Sequence, residues 1–274
     1  MVSIEHLLRD PMLPRLELRL LMEKVTHWSW TRLITHADSV LSASQYAEFI
    51  TLKQRRLSGE PIAYLLGQRE FYGLNFHVSP AVLIPRPETE GLVDWALEWD
   101  SRPRSVLDLG TGSGAIALAL KVHRPLWSIT GADNSETALE VARRNAAHLT
   151  PPGISPVPFV HSHWFDAFKG KTYDLIVANP PYIAAEDFHV QQGDLRFEPA
   201  SALTSGPQGM DALSHIIASA SLHLSPSGSL LVEHGYDQAE ACRQALDRAG
   251  FDSIVTRRDL AGQERLTGGK YSKK

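Results

Sequence analysis

Ser105-Val-Leu-Asp-Leu-Gly-Thr-Gly-Ser-Gly-Ala115 is the stretch that decides the fold. Ser105–Leu109 is an apolar run that predicts a buried strand, and Ala115–Lys121 predicts a helix. Between them Gly110, Gly112 and Gly114 allow the backbone to approach a ligand with no Cβ in the way. Asp133 closes the next strand, about twenty residues on, where an acid can accept hydrogen bonds from two ribose hydroxyls. The pair of features implies an adenosine-type ligand in a Rossmann-like sheet. Gly110-x-Gly112-x-x-Ala115 also satisfies the loose dinucleotide pattern, so the spacing alone leaves the ligand open.

Downstream the chain alternates strand and helix. Strands are predicted at Trp127–Gly131, Pro158–His161, Tyr173–Ala178 and Gly228–Glu233. Helices are predicted at Glu136–His148, Asp211–Leu224 and Gln238–Ala249. Ser253–Asp259 and Glu264–Gly268 can complete the sheet as a hairpin. This order implies parallel strands with helices on both faces and a ligand site beyond the carboxyl ends. The tail Gly268–Lys274 reads as a frayed, solvated end.

Upstream the period differs. Leu13, Leu16, Leu20 and Leu21 lie at helical spacing, with Met22 widening the apolar face. Ser42-Ala-Ser-Gln45 is a capping box opening a helix to about Leu57, with Gly59 closing it. Residues 1–68 therefore read as a small helical domain. Leu74, Phe76 and Val78 alternate with polar neighbours and predict a strand, which Val82–Ile84 is expected to pair with after the Ser79-Pro80 turn. Residues 69–87 form this β-hairpin linker, and 88–274 the α/β domain.

The chain has 274 residues, 43% hydrophobic and 21% charged, enough for one large or two modest domains. With one cysteine, Cys242, no intrachain disulfide is possible and an intracellular, cytoplasmic protein is expected. Apolar runs fall short of a membrane span, and charges throughout the first 25 residues argue against a signal peptide. A net charge of −4 disfavours nucleic acid as the main partner. A monomer is expected.

The acid that leads the glycine turn separates the nucleotide options. Asp108-x-Gly-x-Gly-x-Gly114 resembles the S-adenosylmethionine loop of methyltransferases better than a pyrophosphate cradle. Asn179-Pro180-Pro181-Tyr182 follows the Tyr173–Ala178 strand, and is expected beside the glycine turn at the same sheet edge. Two successive prolines make a stiff loop that presents carbonyl oxygens, and Asn179 adds a side-chain acceptor. Two fixed acceptors suit a planar NH₂ group, and Tyr182 offers a flat face to pack on it. An amide or exocyclic base amine is the implied methyl acceptor. An amide lone pair is delocalised. Holding both N–H groups with Asn179 Oδ1 and the Pro180 carbonyl would aim that lone pair and stabilise the charge that develops on nitrogen.

At these residues the sequence resembles the HemK or PrmC family, the glutamine-N5 methyltransferases of peptide-chain release factors. Gly59-Glu-Pro-Ile-Ala-Tyr-Leu-Leu-Gly67, Arg69-Glu-Phe-Tyr-Gly73, Leu83-Ile-Pro-Arg-Pro-Glu-Thr-Glu90, Gln191-Gln-Gly-Asp-Leu-Arg-Phe-Glu-Pro199 and Glu233-His-Gly235 extend the likeness beyond the Asn179–Tyr182 segment, which adenine-N6 and ribosomal-protein methyltransferases share. The resemblance implies a Rossmann-like S-adenosylmethionine-dependent methyltransferase with an N-terminal helical domain that docks class I release factors. The implied substrate is the glutamine of their Gly-Gly-Gln loop. It also implies that Gly110, Thr111, Gly112, Ser113 and Gly114 hold the methionine part of the cofactor, that Asp133 holds the ribose, and that Trp164 lies on the adenine side. Asn179 would touch both cofactor and substrate, with Pro180, Pro181 and Tyr182 on the substrate. His163 stands where the family pattern has an acid.

His161 and His163 lack a Cys or carboxylate cluster, so no metal is expected. Cys242 reads as a small buried hydrophobe, and Trp28 and Trp30 as core. Glu198 is either an anchor behind the substrate loop or a helix-cap partner. Arg86 either lines the site or makes a structural ion pair. An adenine-N6 nucleic-acid methyltransferase would share the catalytic loop but calls for a basic cleft. A non-catalytic binding module would not need an intact Asn179–Tyr182 loop.

Overall fold

The computed structural model describes residues 2–98 and 104–272. Strands β3 (Ser105–Leu109), β4 (Ser128–Asp133), β5 (Phe159–His161), β6 (Tyr173–Ala178), β7 (Leu224–Glu233), β8 (Phe251–Arg258) and β9 (Glu264–Tyr271) form one sheet in the order β5-β4-β3-β6-β7-β9-β8. Neighbours from β5 to β7 run parallel, while β9 is antiparallel to both β7 and β8. From β3 the chain steps outward one way to β4 and β5. It then returns to the other side of β3 as β6, so the topological switch point lies between β3 and β6.

Alternation along the central strands divides the core between the two faces. Val106, Leu175, Val177 and Leu231 point to the layer built by α6 (Glu90–Leu97) and α7 (Ala115–His123), with Trp127 buried among them. Leu107, Leu109, Ile176, Ala178, Leu230 and Val232 point to α10 (Asp211–Ala220) and α11 (Ala239–Arg248), where Cys242 is fully buried. Burial pushes the Cys242 thiol up to about 12, so it is an inert thiol. Helix α8 (Glu136–Leu149) follows β4, and α9 (Ala200–Leu203) lies in the long segment after β6. Among the described residues, no helix is long and apolar enough to cross a membrane.

The N-terminal part contains α1 (Ile4–Leu8), α2 (Arg15–Thr26), α3 (Trp30–Thr35), α4 (Ala43–Leu57) and α5 (Ile62–Leu66), with its own apolar cluster. The capping box of α4 forms: Gln45 N donates to Ser42 Oγ (3.2 Å) and Ser42 N donates to Gln45 Oε1 (3.1 Å). The core face of α2 is Leu18, Leu21, Met22 and Val25, whereas Leu16 is exposed. Leu13 precedes the helix, and a helix beginning at Arg15 turns position 16 outward. Trp28 and Trp30 pack at the margin of this cluster, covered by the Arg32 and Arg19 guanidinium groups at 4.4 and 4.9 Å from the ring centroids.

The linker hairpin differs from expectation. Its strands are β1 (Gln68–Phe71) and β2 (Leu74–His77), closed by Tyr72 and Gly73. Both turn residues have positive φ, 52° and 74°, as a tight two-residue hairpin turn requires. Val82–Ile84 forms no strand, and its backbone is tied to side chains. Tyr64 Oη donates to Val82 O (2.6 Å), and Ile84 N donates to Glu198 Oε2 (3.0 Å). Asn145 on α8 clips the end of β2 to the glycine turn, accepting from His77 N (2.7 Å) and donating to His77 O (3.0 Å) and Ser113 O (2.9 Å).

The described part of the tail is also structured. Gly268 and Gly269 lie buried in β9 between β7 and β8. A Cβ on Gly268 would stand 2.5 Å from Leu231 Cδ2, so the glycine reflects close packing, not a loose end. Lys273 and Lys274, the last of the expected frayed tail, lie outside the described residues.

Candidate active site

The site sits at the switch point, where three strands end in step. Leu109 pairs with Ala132 on one side and Ala178 on the other, so Gly110, Asp133 and Asn179 emerge side by side at one carboxyl edge. Gly110, Gly112 and Gly114 have φ values of 71°, 54° and 83°. Thr111 N donates to Ala132 O (2.8 Å), which pins the turn to β4. A Cβ on Gly110 would lie 3.7 Å from the Trp164 ring and 3.9 Å from Asn179 O, filling the space between them.

Two carboxylates shape this turn. Asp108 is fully buried, accepting from Thr111 Oγ1 (2.6 Å) and Ala117 N (3.2 Å), while its Oδ1 is without a partner. Desolvation raises its pKa to about 7. Asp133 accepts from Gly112 N (2.9 Å) and Ser135 N (2.9 Å), and burial raises its pKa as well. Backbone N–H groups thus use part of its acceptor capacity, and the rest faces the cavity that it lines.

That cavity has a volume of about 320 Å³ and runs between the glycine turn, Asp133, Trp164 and Asn179. Its far wall is the linker exit, Pro80–Leu83, and α9 contributes Ala202. This is the size of a small-molecule site. The glycines leave open the volume that side chains would fill, and an acid stands across from an aromatic ring. The residues therefore fit S-adenosylmethionine. Trp164 adopts a positive φ of 48°, which aims the ring over Gly110. His163 is largely exposed beside it, with ring centroids 5.9 Å apart. His161 Nε2 lies 2.9 Å from Asn134 O, next to Asp133.

A second, smaller cavity of about 80 Å³ lies on the other side of Asn179, lined by Arg86, Pro180, Tyr182 and Leu195. The two cavities share Leu83, Asn179, Pro181 and Ala202. The smaller one continues into an open cleft bordered by Arg86, Glu88, Tyr182, His189, Asp194 and Arg265. Glu198 settles its own role and that of Arg86. Fully buried, it accepts from Arg86 Nη2 (2.5 Å) and from Ile84 N, and so fixes the wall that Arg86 presents to the smaller cavity.

Asn179 Nδ2 donates to Thr89 Oγ1 (3.0 Å), and Tyr182 Oη donates to Glu233 Oε1 (3.3 Å). Thr89 and Glu233 were quoted above only as part of a family likeness. No local spacing links positions 89, 179 and 233, and only the fold brings them together. Asn145 and the Pro80–Leu83 wall escape the sequence for the same reason.

A Rossmann-like sheet, a glycine turn with its acid, and an Asn-Pro-Pro-Tyr loop on the next strand define a methyltransferase of the S-adenosylmethionine-dependent class. Comparison with known proteins narrows this. The family described as "PrmC N-terminal domain" matches residues 3–67, and "Methyltransferase small domain" matches residues 94–250. A protein of Burkholderia pseudomallei named release factor glutamine methyltransferase is 48% identical over 97% of this chain and 95% of its own length. One of the same name from Escherichia coli is 45% identical over 94% of this chain and 92% of its own. A solved methyltransferase from Pyrococcus furiosus shares the fold, with a TM-score of 0.56 at 17% identity, covering 81% of this chain and 99% of that one. The chain belongs to the release factor glutamine methyltransferase family.

Proposed function

We propose that the chain transfers a methyl group from S-adenosylmethionine to the side-chain amide nitrogen (N5) of the glutamine in the Gly-Gly-Gln loop of class I peptide-chain release factors. One observation carries this reading beyond the family name. The cofactor-sized cavity and the small cavity share a wall made by Asn179 and Pro181, so a planar amide in the second would meet a ligand in the first at that loop.

When bound, the cofactor supplies an electrophilic methyl on a sulfonium. Gly110–Gly114 would cradle its methionine part, Asp133 would accept from its ribose, and Trp164 would cover its adenine side. Asn179 Oδ1 and the Pro180 carbonyl hold the two N–H groups of the glutamine, leaving the nitrogen lone pair one direction to point. Tyr182 packs on the amide plane. As positive charge develops on nitrogen, the two acceptors hold it more strongly than they hold the neutral amide. No general base has to act before methyl transfer.

In this reading residues 1–68 dock the release factor, 69–87 link, and 88–274 carry the chemistry. Both cavities are completed within one chain, which supports action as a monomer. A single buried cysteine and a partner from translation support a cytoplasmic location. The acidic net charge and the small acceptor cavity weigh against an adenine in nucleic acid.

Mass mapping of a release factor after incubation with this protein and isotope-labelled cofactor tests the proposal. One added methyl on the Gly-Gly-Gln glutamine is expected. Label on an adenine-containing nucleic acid, with none on the release factor, would overturn it.

A further inference from the structure

The Asn179–Tyr182 loop can aim an amide only if its backbone keeps one position. Its two prolines donate no N–H, so carbonyls and side chains must supply most of its anchor points. The entry is fixed by β6, where Ala178 pairs with Val232, and by Asn179 Nδ2 donating to Thr89 Oγ1. The exit depends on Gln238. Its Nε2 donates to Tyr182 O (2.9 Å) and, at longer range, to Gln208 O (3.4 Å), while its Oε1 accepts from Gly235 N (2.8 Å). A carbonyl can only accept and a backbone N–H can only donate, so the Gln238 amide has one workable orientation.

The fold sets the reach of that side chain. Gln238 caps α11, where its carbonyl accepts from Cys242 N (3.0 Å), and its own N–H donates to Gly235 O (3.0 Å). Main chain and side chain therefore close the same turn after β7, and the turn cannot shift without carrying the amide with it. Gly209 makes room for the contact, because a Cβ there would collide with Tyr182 O. Gln238 lines neither cavity, so its effect on a ligand has to pass through the loop. We propose that Gln238 is a positioning residue: it ties the Tyr182 carbonyl to the Gly235 turn and thereby holds the loop that aims the acceptor amide. The proposal rests on the methyltransferase reading above for its consequence in rate, but the clamp itself does not.

Gln238→Glu keeps the length and the acceptor for Gly235 N, but at about pH 8 it sets a second acceptor against Tyr182 O. It also places an acid at a helix N-terminus, which favours the fold. With the full chain and a release factor at that pH, Gln238→Glu should lower kcat roughly ten- to a hundredfold. KM for the release factor should stay within about twofold and S-adenosylmethionine affinity should not change, the signature of lost orientation. The melting temperature should stay within a few degrees of the unmodified protein's, so that the lost rate is not lost folding. Gln238→Met, which removes both hydrogen bonds, should lose at least as much kcat. Normal kcat in Gln238→Glu would overturn the clamp and leave Gln238 only the turn at Gly235; a rise in KM alone would overturn it too. A second readout needs no substrate. Tyr182-Ile183 is the only Tyr–Ile pair in the chain, so carbonyl-¹³C tyrosine combined with ¹⁵N isoleucine picks out the Tyr182 carbonyl. Its resonance should move upfield in Gln238→Glu as the hydrogen bond is lost, and an unchanged shift would overturn the clamp. If the unmodified protein transferred no methyl to the release factor, the functional reading would fail, and the carbonyl shift would still decide the clamp.

Discussion

The two halves of the site are built by opposite means. On the proposed reading the cofactor side is made of backbone: three glycines at positive φ, a turn pinned to β4 by one N–H, and an acid at the end of the neighbouring strand. The acceptor side is made of side chains that converge from distant parts of the chain. Asn179 and Tyr182 follow β6, Arg86 and Thr89 come from the linker exit, Glu198 from the long loop, and Glu233 from β7. A ligand with one fixed chemical structure can be held by a local motif. A flexible glutamine must be oriented as well as bound, and orientation takes groups fixed from several directions.

Substitution at Asn179 should give the largest effect and tests this division directly. Asn179→Ala removes one of the two acceptors while leaving docking contacts elsewhere intact. Steady-state kinetics should show kcat lower by about a hundredfold or more, as for loss of one oxyanion-hole partner, with KM little changed. Asn179→Asp keeps an acceptor of similar size but adds charge, and should retain more activity than Asn179→Ala. Near-normal kcat in Asn179→Ala with a large rise in KM would mean that the loop binds and does not orient.

On the cofactor side the corresponding loss should appear in affinity. Asp133→Ala should weaken S-adenosylmethionine binding by about 1.5–3 kcal/mol, the range for hydrogen bonds to a charged group. Calorimetry measures this. Unchanged affinity would remove Asp133 from the ribose site and leave it only the structural role of receiving Gly112 and Ser135 N–H.

Glu198 is where the linker meets the acceptor side. Glu198→Ala would leave the buried Ile84 N–H without its acceptor and Arg86 without its ion partner. The expected cost is about 1–3 kcal/mol of stability, read from denaturant unfolding. KM for the release factor should rise, because Arg86 lines the acceptor cavity, while cofactor affinity changes less. Equal losses on both sides would show that the wall at Pro80–Leu83 serves the cofactor cavity as much as the acceptor.

The same division explains what was legible in the sequence. The glycine turn, Asp133 and the Asn179 loop are contiguous signals at strand ends, and the fold puts them where their order says. Capping at Ser42 and Gln45 is equally local. The hairpin was misplaced because its turn uses Tyr72 at positive φ, a residue that carries no turn signal, while Ser79-Pro80 carries a strong one and makes no hairpin. Gly268-Gly269 read as a loose tail because the sequence does not reveal that Leu231 and Phe251 crowd the strand from either side. Helix α6 escaped notice between the prolines at 85 and 87 and the segment after it. Thr89 and Glu233 are illegible as partners of the Asn179 loop because 90 residues separate Thr89 from Asn179 and 51 separate Tyr182 from Glu233.

The smallest expected effect compares the halves through one buried acid in each. Asp108 on the cofactor side and Glu233 on the acceptor side both have pKa values raised by desolvation to about 7, each with one oxygen lacking a partner. In the unfolded chain both acids lose their protons near pH 4. Between that pH and about 7 the folded protein holds protons that the unfolded chain has released, so stability falls as pH rises through this window and levels off above it. The melting temperature should therefore drop by a few degrees from pH 6.5 to pH 8, on the scale of about 2–4 °C per kcal/mol for a chain of this size. Asp108→Asn and Glu233→Gln each remove one titrating group, and each should flatten the slope. Flattening by Asp108→Asn alone would place Glu233 in a better-solvated or better-paired state than its burial implies. The acceptor side would then be held by an ionised carboxylate across the whole range, with its hydrogen bond from Tyr182 Oη insensitive to pH.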